Sequence, residues 1–286
     1  MGTLLIAGPL ALDEIANQPN TIGGVGGYAA IAAASLATTQ LWCRGGSEFT
    51  PYLQGLLTQK GIDLSGVSWD GPTPRGTPQG FVAGGPILPE LEPTEAEDLG
   101  AVLLIGLPPE EFFRAARVVA ALPGAESRTV VVSPRPSDLL DANFLGVVAN
   151  TADLLVLSVT KAQEITRTKD PLAAAKALQA AGAKSVVLTA RHLGGLIAYR
   201  GKITTYPALP LETIDAAGVS AAFPGALAAW CAGAGKGDFA TVKRGCAVAS
   251  AVAGICSQGQ GPRKLLQANR NEIIERFNRL RREQKY

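Results

Sequence analysis

Short, almost wholly apolar runs recur along this 286-residue chain, separated by segments of helical period, and they restrict its fold more than any other feature. Val130-Val131-Val132 and Leu154-Leu155-Val156-Leu157 contain no polar position at all. A strand with one wet face alternates polar and apolar residues, whereas a strand apolar throughout must be covered on both faces. The pattern therefore predicts a mainly parallel sheet between two helical layers, an α/β three-layer sandwich. Strands are expected over 3–8, 40–44, 101–105, 129–133, 153–157, 185–189 and 195–199. Helices are expected over 26–37, 51–60, 110–122, 171–181, 219–232, 241–257 and 269–282. Pro171 suits a first helical position, where its missing N–H costs little, and Gly182 suits the position just past the helix end. No internal repeat is evident. From 70 to 100 glycine and proline crowd the chain, so a flap with one or two short strands near 77–83 is expected there, a reduced lid within one domain spanning 1–286.

Composition agrees with a large buried core: 47% of residues are hydrophobic and 17% charged. The net charge of +2 gives no global field for nucleic acid or membrane. It is unevenly placed, because residues 263–286 carry eight basic and three acidic side chains. Cys43, Cys231, Cys246 and Cys256 lack metal-ligand spacing, and His192 is the sole histidine, so no metal site is expected. No secretory leader pattern and no unbroken apolar run of membrane-spanning length is evident. A reduced, cytoplasmic protein is the expectation.

Candidate chemistry concentrates in a few glycine-containing stretches. Gly8-Pro9-Leu10-Ala11-Leu12-Asp13 follows the first strand, and Ile22-Gly23-Gly24-Val25-Gly26-Gly27-Tyr28-Ala29 precedes an alanine-rich helix. The latter contains a G-x-G-x-x-A frame, but it lies too far from the first strand and lacks the acidic residue that dinucleotide binding needs. Gly233-Ala234-Gly235-Lys236-Gly237-Asp238 lacks the preceding strand and following hydroxyl of a phosphate loop and reads as a helix–helix turn. The third stretch is Asp215-Ala216-Ala217-Gly218-Val219-Ser220-Ala221-Ala222-Phe223.

That last stretch resembles the D-T-T-G-A-G-D-A-F signature of the ribokinase-like (PfkB) carbohydrate and nucleoside kinases. With the two glycine motifs and Gly261-Pro262, the resemblance extends over some 260 residues. It implies a ribokinase-like three-layer αβα sandwich with a mainly parallel central sheet and, here, a reduced lid. It also implies a sugar or nucleoside site at Asp13, Gly23, Gly24 and Gly27. The backbone of Gly218, Val219, Ser220 and Ala221 would form an anion hole at a helix N-terminus. The nucleotide side would involve Ser158, Lys161, Thr189, Arg191, Gly194 and Asp215.

Three corners of that implied site are eroded. Ala221 stands where the family places its catalytic Asp, and loss of a general base typically removes about 10²–10⁴ in rate. Ser220 replaces a glycine. Ser158-Val159-Thr160-Lys161 stands where the family has N-x-x-E, and Thr189–Gly194 keeps only the last glycine of K-x-G-x-x-G. Asp215, expected at a strand end, reads either as a nucleotide-side carboxylate or as one held by neighbouring N–H groups. The expectation is a pseudokinase that binds a small polyol or nucleoside. An active kinase using ATP and Mg²⁺ through a rearranged site is one alternative, and a non-catalytic scaffold or regulatory protein with a protein partner is the other. Retained catalytic residues and resident cofactors are not expected. The basic C-terminal helix, with Ile273, Ile274, Phe277 and Leu280 on one face, reads as docked by that face; an RNA or acidic partner is the less favoured reading, and the chain is expected to be a monomer or homodimer.

Overall fold

Leu4 and Ile6 of the first strand point into one hydrophobic cluster, and Leu5 and Ala7 point into a second. This period of two places a core on each face of the sheet, as continuous apolar strands require. The computed structural model describes residues 2–15, 18–77, 80–90, 93, 99–234 and 237–284.

In chain order the elements begin with β1 (Thr3–Ala7), β2 (Ala11–Ile15), β3 (Gln18–Gly23), α1 (Gly24–Ala33) and β4 (Thr38–Arg44). They continue with α2 (Pro51–Gln59), β5 (Ile62–Asp63), β6 (Val67–Ser68), β7 (Arg75–Thr77), β8 (Gly80–Val82) and β9 (Leu99–Ile105). Then follow α3 (Pro109–Ala121), β10 (Thr129–Ser133), α4 (Ala142–Thr151), β11 (Leu154–Ser158), α5 (Val159–Thr166) and α6 (Pro171–Ala180). The remainder comprises β12 (Ser185–Thr189), β13 (Gly195–Tyr199), β14 (Lys202–Tyr206), α7 (Val219–Ala234), α8 (Phe239–Ser257), α9 (Arg263–Gln267) and α10 (Arg270–Gln284).

The main sheet runs β14-β13-β12-β11-β10-β9-β1-β4-β5, with β6 also on β4. From β5 to β12 every pair is parallel, and β13 and β14 add an antiparallel edge. Residues of α1, α7 and α8 enter the core on one face. Residues of α3, α4 and α6 enter the core on the other. Helix α8 is the one described helix long and apolar enough to cross a membrane, yet Val242, Cys246, Ala249 and Ile255 along it are buried inside the protein.

Local signals explain several boundaries. Pro171 opens α6, and the Asp170 side chain before it accepts from the N–H groups of Leu172 and Ala173. Arg128, nearly fully buried, donates to the carbonyls of Leu122 and Val119 at the end of α3, which satisfies helix-end acceptors that have no partner of their own.

The lid departs from expectation in its origin. It is a four-stranded sheet, β3-β2-β7-β8, half of it drawn from residues 11–23 and only the short β7 and β8 from the 70–100 region. Helix α1 begins at Gly24 and ends at Ala33, not over 26–37. Asp215 lies in the loop between β14 and α7, not at a strand end. In the Gly233–Asp238 stretch the described residues end α7 and cap α8, where the Asp238 side chain accepts from the Thr241 N–H; Gly235 and Lys236 fall outside the described residues.

Candidate functional site

Helix α7 sets the site. Gly2 and Gly100, at the amino ends of β1 and β9, lie against the Ala232 carbonyl near its C-terminus. Sixteen residues of α-helix span about 24 Å, enough to traverse the sheet, so the N-terminus of α7 emerges at the carboxyl edge of the strands. In open α/β sheets that edge is where loops can enclose a ligand.

The first turn of α7 contains Gly218, Val219, Ser220 and Ala221. Gly218 has a left-handed backbone, φ +73°, and its Cα is pressed against the Tyr28 ring. A methyl placed there would lie 1.9 Å from Tyr28 Cδ1, so only glycine fits this position. The N–H of Val219 donates to Ala216 O (3.3 Å), and those of Ala221 and Ala222 donate to Gly218 O (2.9 and 2.8 Å). Among the described residues the N–H groups of Gly218 and Ser220 have no backbone acceptor, so two donors remain at the helix start. The Ala221 methyl is buried at 1% exposure and faces core, with no capacity to accept a proton. Phe223 follows it and stacks on Tyr206 at the end of β14, with ring centroids 5.5 Å apart.

Asp13 projects from the lid strand β2. Its Oδ2 accepts from the Gly24 N–H at 3.3 Å. Gly23 leaves room for that carboxylate, because an added methyl would come 1.9 Å from its Cγ. Asp13 Oδ1 is buried with no partner among the described residues. Burial pushes the Asp13 carboxyl above the usual carboxylate range, opposed in part by the N–H groups of Gly24 and Gly76.

Tyr28 is the second polar group here, and it is 2% exposed. Its hydroxyl also has no partner among the described residues. Burial raises its ionisation, and the nearby Asp13, Cys256 and Asp215 add to the rise. The phenol thus lies between the two carboxylates, beneath the start of α7. Gly27, one residue earlier on α1, is buried against Leu10.

Asp215 has both oxygens occupied. Oδ1 accepts from Ala217 N–H and Oδ2 from Gly261 N–H, each at 2.9 Å. The backbone N–H groups of Ile214 and Asp215 both donate to Ser257 O. The side chain therefore ties the loop before α7 to the turn after α8.

On the other side of the carboxyl edge, Ser158 and Thr189 are register partners at the ends of β11 and β12. The Ser158 hydroxyl caps α5 by accepting from Lys161 N–H at 3.3 Å. Lys161 Nζ pairs with Glu164 on the same helix at 2.7 Å and is exposed to solvent. Arg191 opens a short 3-10 turn, and Gly194 closes it by accepting from Ala190 N–H at 2.7 Å. Beside this turn is an open cavity of about 500 Å³, lined by Val159, Pro171, Ala190, Leu193 and Tyr206 among others. Tyr206 joins this cavity to the first turn of α7 through its stack on Phe223.

The residues present do not fit a magnesium–nucleotide site. Among the described residues no three His, Cys, Asp or Glu side chains cluster to hold a metal. Lys161 brings a cation to the start of α5, and the Asp215 carboxylate is fully engaged with N–H groups. The sequence placed Asp13, Gly218, Ala221 and Asp215 around one site, and the structure brings them together around Tyr28. Ser158, Thr189, Arg191 and Gly194 form a separate group along the edge. Tyr28 itself carried no assigned role in the sequence reading, although an aromatic side chain directly after paired glycines was the signal available.

No protein-family sequence model matches the chain, and no curated protein sequence matches it. Solved structures do. Aminoimidazole riboside kinase from Salmonella enterica, complexed with aminoimidazole riboside and an ATP analogue, superposes with a TM-score of 0.77 at 16% identity, over 96% of this chain and 99% of that one. Fructokinase from Vibrio cholerae O395, bound to fructose, ADP and calcium, gives 0.78 at 17% identity, over 97% and 99%. The nucleoside kinase of Methanocaldococcus jannaschii, an archaeal member of the ribokinase family, gives 0.74 at 16% over 98% and 99%. The fold is ribokinase-like. On this ribokinase-like scaffold, the start of α7 and the lid strand β2 meet at Tyr28, with a methyl group at Ala221.

Proposed function

We propose that this protein is a non-catalysing relative of the sugar and nucleoside kinases, one that holds a small hydroxylated ligand, a polyol or nucleoside, at Asp13. The observation that carries the reading is the first turn of α7: it offers a buried methyl at Ala221 where proton transfer would need a base, and the Tyr28 ring closes over Gly218. Phosphoryl transfer relies on positioning, a cation and an acceptor for the hydroxyl proton. Asp215 is engaged with two N–H groups and Lys161 with Glu164, so neither supplies that acceptor.

Binding has support of its own. Asp13 Oδ1 and the Tyr28 hydroxyl are two buried polar atoms lacking partners, and such groups demand hydrogen bonds. A ligand hydroxyl satisfies both, donating to the carboxylate and accepting from the phenol. The similar kinases bind fructose or a riboside, which is consistent with a polyol or nucleoside ligand here.

The test is a thermal-shift panel of sugars and nucleosides on the parent protein and on Asp13→Asn. A ligand bound by the native state raises the melting temperature in proportion to ln(1 + [L]/Kd). The proposal requires at least one polyol or nucleoside to stabilise the parent and to lose that effect in the variant. A panel without any stabilising ligand, or stabilisation that survives Asp13→Asn, contradicts it.

A further inference from the structure

A second cleft, of about 280 Å³, lies between α8 and α10, on residues outside the site described above. Its floor is apolar: Leu36, Val248 and Ile273 are buried, and Trp230 and Phe277 are partly so. Water gains little on such a surface, because it needs two or more polar partners to stay.

The rim is cationic. Arg270, Ile273, Ile274, Phe277, Asn278 and Arg281 follow the i, i+3, i+4, i+7, i+8, i+11 spacing of one helical stripe. That stripe begins and ends with a guanidinium, and Arg244 on α8 adds a third opposite it. Eleven residues of helix separate the two ends by about 16 Å. Arg281 stands over the Phe277 ring, 5.9 Å from its centroid, which fixes a charge at one end of the floor.

None of the residues lining the cleft is acidic. Two carboxylates of α10, Glu272 and Glu283, are tied to Arg276 and Arg279, not to the rim. Among the described residues Arg244 and Arg270 have no ion-pair partner. An apolar stripe meant only to dock its own helix has no need of an unpaired charge at each end. Ile274, 44% exposed within the stripe, leaves apolar surface open beside those charges.

We propose that this cleft binds a small amphiphilic anion, a carboxylate or phosphate monoester attached to an apolar body. The apolar body lies on Val248, Ile273 and Phe277, and the acidic head pairs with Arg244 and Arg270 or Arg281. Arginine suits the task because its planar fork donates two parallel bonds to either head group. The volume is close to the lower end of small-molecule sites, about 300 Å³, which favours a compact ligand.

The probes are decanoate and decyl phosphate, with decan-1-ol as the neutral analogue and acetate as the anion lacking a body. Titration calorimetry on the full chain is expected to show one site per chain for decanoate, decyl phosphate or both, which identifies the preferred head group. Decan-1-ol and acetate are expected to bind at least about tenfold more weakly, a difference of one charge-assisted contact. Arg244→Glu with Arg270→Glu should weaken the anion at least as much without lowering Tm, since both side chains are exposed. Raising the salt should weaken it too. Trp230→Phe should abolish any ligand-induced fluorescence change while leaving the calorimetric binding in place. Equal binding of decan-1-ol and decanoate, indifference to the charge reversal, a fluorescence response that survives Trp230→Phe, or no binding of either anion overturns the proposal.

Discussion

The Tyr28 ring rests on the Cα of Gly218 so closely that a single methyl at Gly218 would approach to 1.9 Å. This contact joins the helix after the lid to the helix that opens the candidate site. Gly218→Ala therefore meets two penalties, the ring and the left-handed backbone at φ +73°. A loss of about 1–3 kcal/mol is expected for the backbone alone, and the overlap adds to it. Tyr28→Ala removes the obstacle at the expense of a cavity worth about 3–5 kcal/mol. Urea denaturation of both single variants and the double variant should show strong non-additivity, the double being more stable than the sum of losses implies. Simple additivity would mean the ring is not what confines Gly218.

Asp215 acts as a clamp. Removing its carboxylate in Asp215→Ala leaves the Ala217 and Gly261 N–H groups without acceptors. Hydrogen bonds to charged groups contribute about 1.5–3 kcal/mol each, so a stability loss of roughly 3 kcal/mol or more is expected. A nearly neutral variant in chemical denaturation would show that the clamp is not structural.

Asp13 keeps a buried oxygen without a partner, and burial raises its ionisation above the ordinary value. An acid whose folded pKa is raised favours folding fully below its unfolded pKa, and that contribution is lost as pH rises through the folded value. Asp13→Asn stays neutral throughout. The parent should lose stability relative to this variant as pH rises from the acid side toward neutrality, and the variant should then melt at the higher temperature. Parallel Tm–pH curves for the two proteins would contradict the assignment.

Lys60 donates to the Ala268 carbonyl ahead of α10, and burial brings its ammonium down to about 8 against the opposing pull of Glu272. The unfolded chain holds that proton to its ordinary pKa of about 10.4. Between those values the unfolded state binds more protons, so this group makes stability rise with pH. Buried Cys43, Cys231 and Cys256 act oppositely, since burial pushes each thiol up to about 12. Stability from the thiols is therefore lost as pH rises from about 8.5 toward that value. Subtracting the profile of Lys60→Met from that of the parent isolates the lysine. The difference should climb from pH 8 upward, and a flat difference would rule out a buried ammonium.

The two-sided apolar strands made the parallel sheet legible, because a run such as Leu154–Leu157 has only one stable setting. The lid was not legible for the converse reason. Gln18, Pro19 and Asn20 of β3 are all exposed, so no alternation marks them as strand. Strand β14 is likewise exposed along most of its length. Within the site, Ala221 was readable as a substitution in a known frame, but the role of Tyr28 was not. Its ring matters through a contact with Gly218, 190 positions along the chain, and no local pattern encodes that meeting. Asp215 shows the same limit, since its acceptor role depends on the Gly261 N–H arriving from the far end of α8.

The most direct measurement of the central claim is ATP-dependent phosphoryl transfer by the parent protein across a panel of sugars and nucleosides, followed by product detection. With a methyl at Ala221, no phosphorylated product should form above the uncatalysed background, even with a panel member that stabilises the protein in thermal shift. Ser220→Gly with Ala221→Asp, if it still folds, should raise nucleotide affinity or transfer. Robust turnover by the unmodified chain, saturable in both ATP and acceptor, would contradict the account.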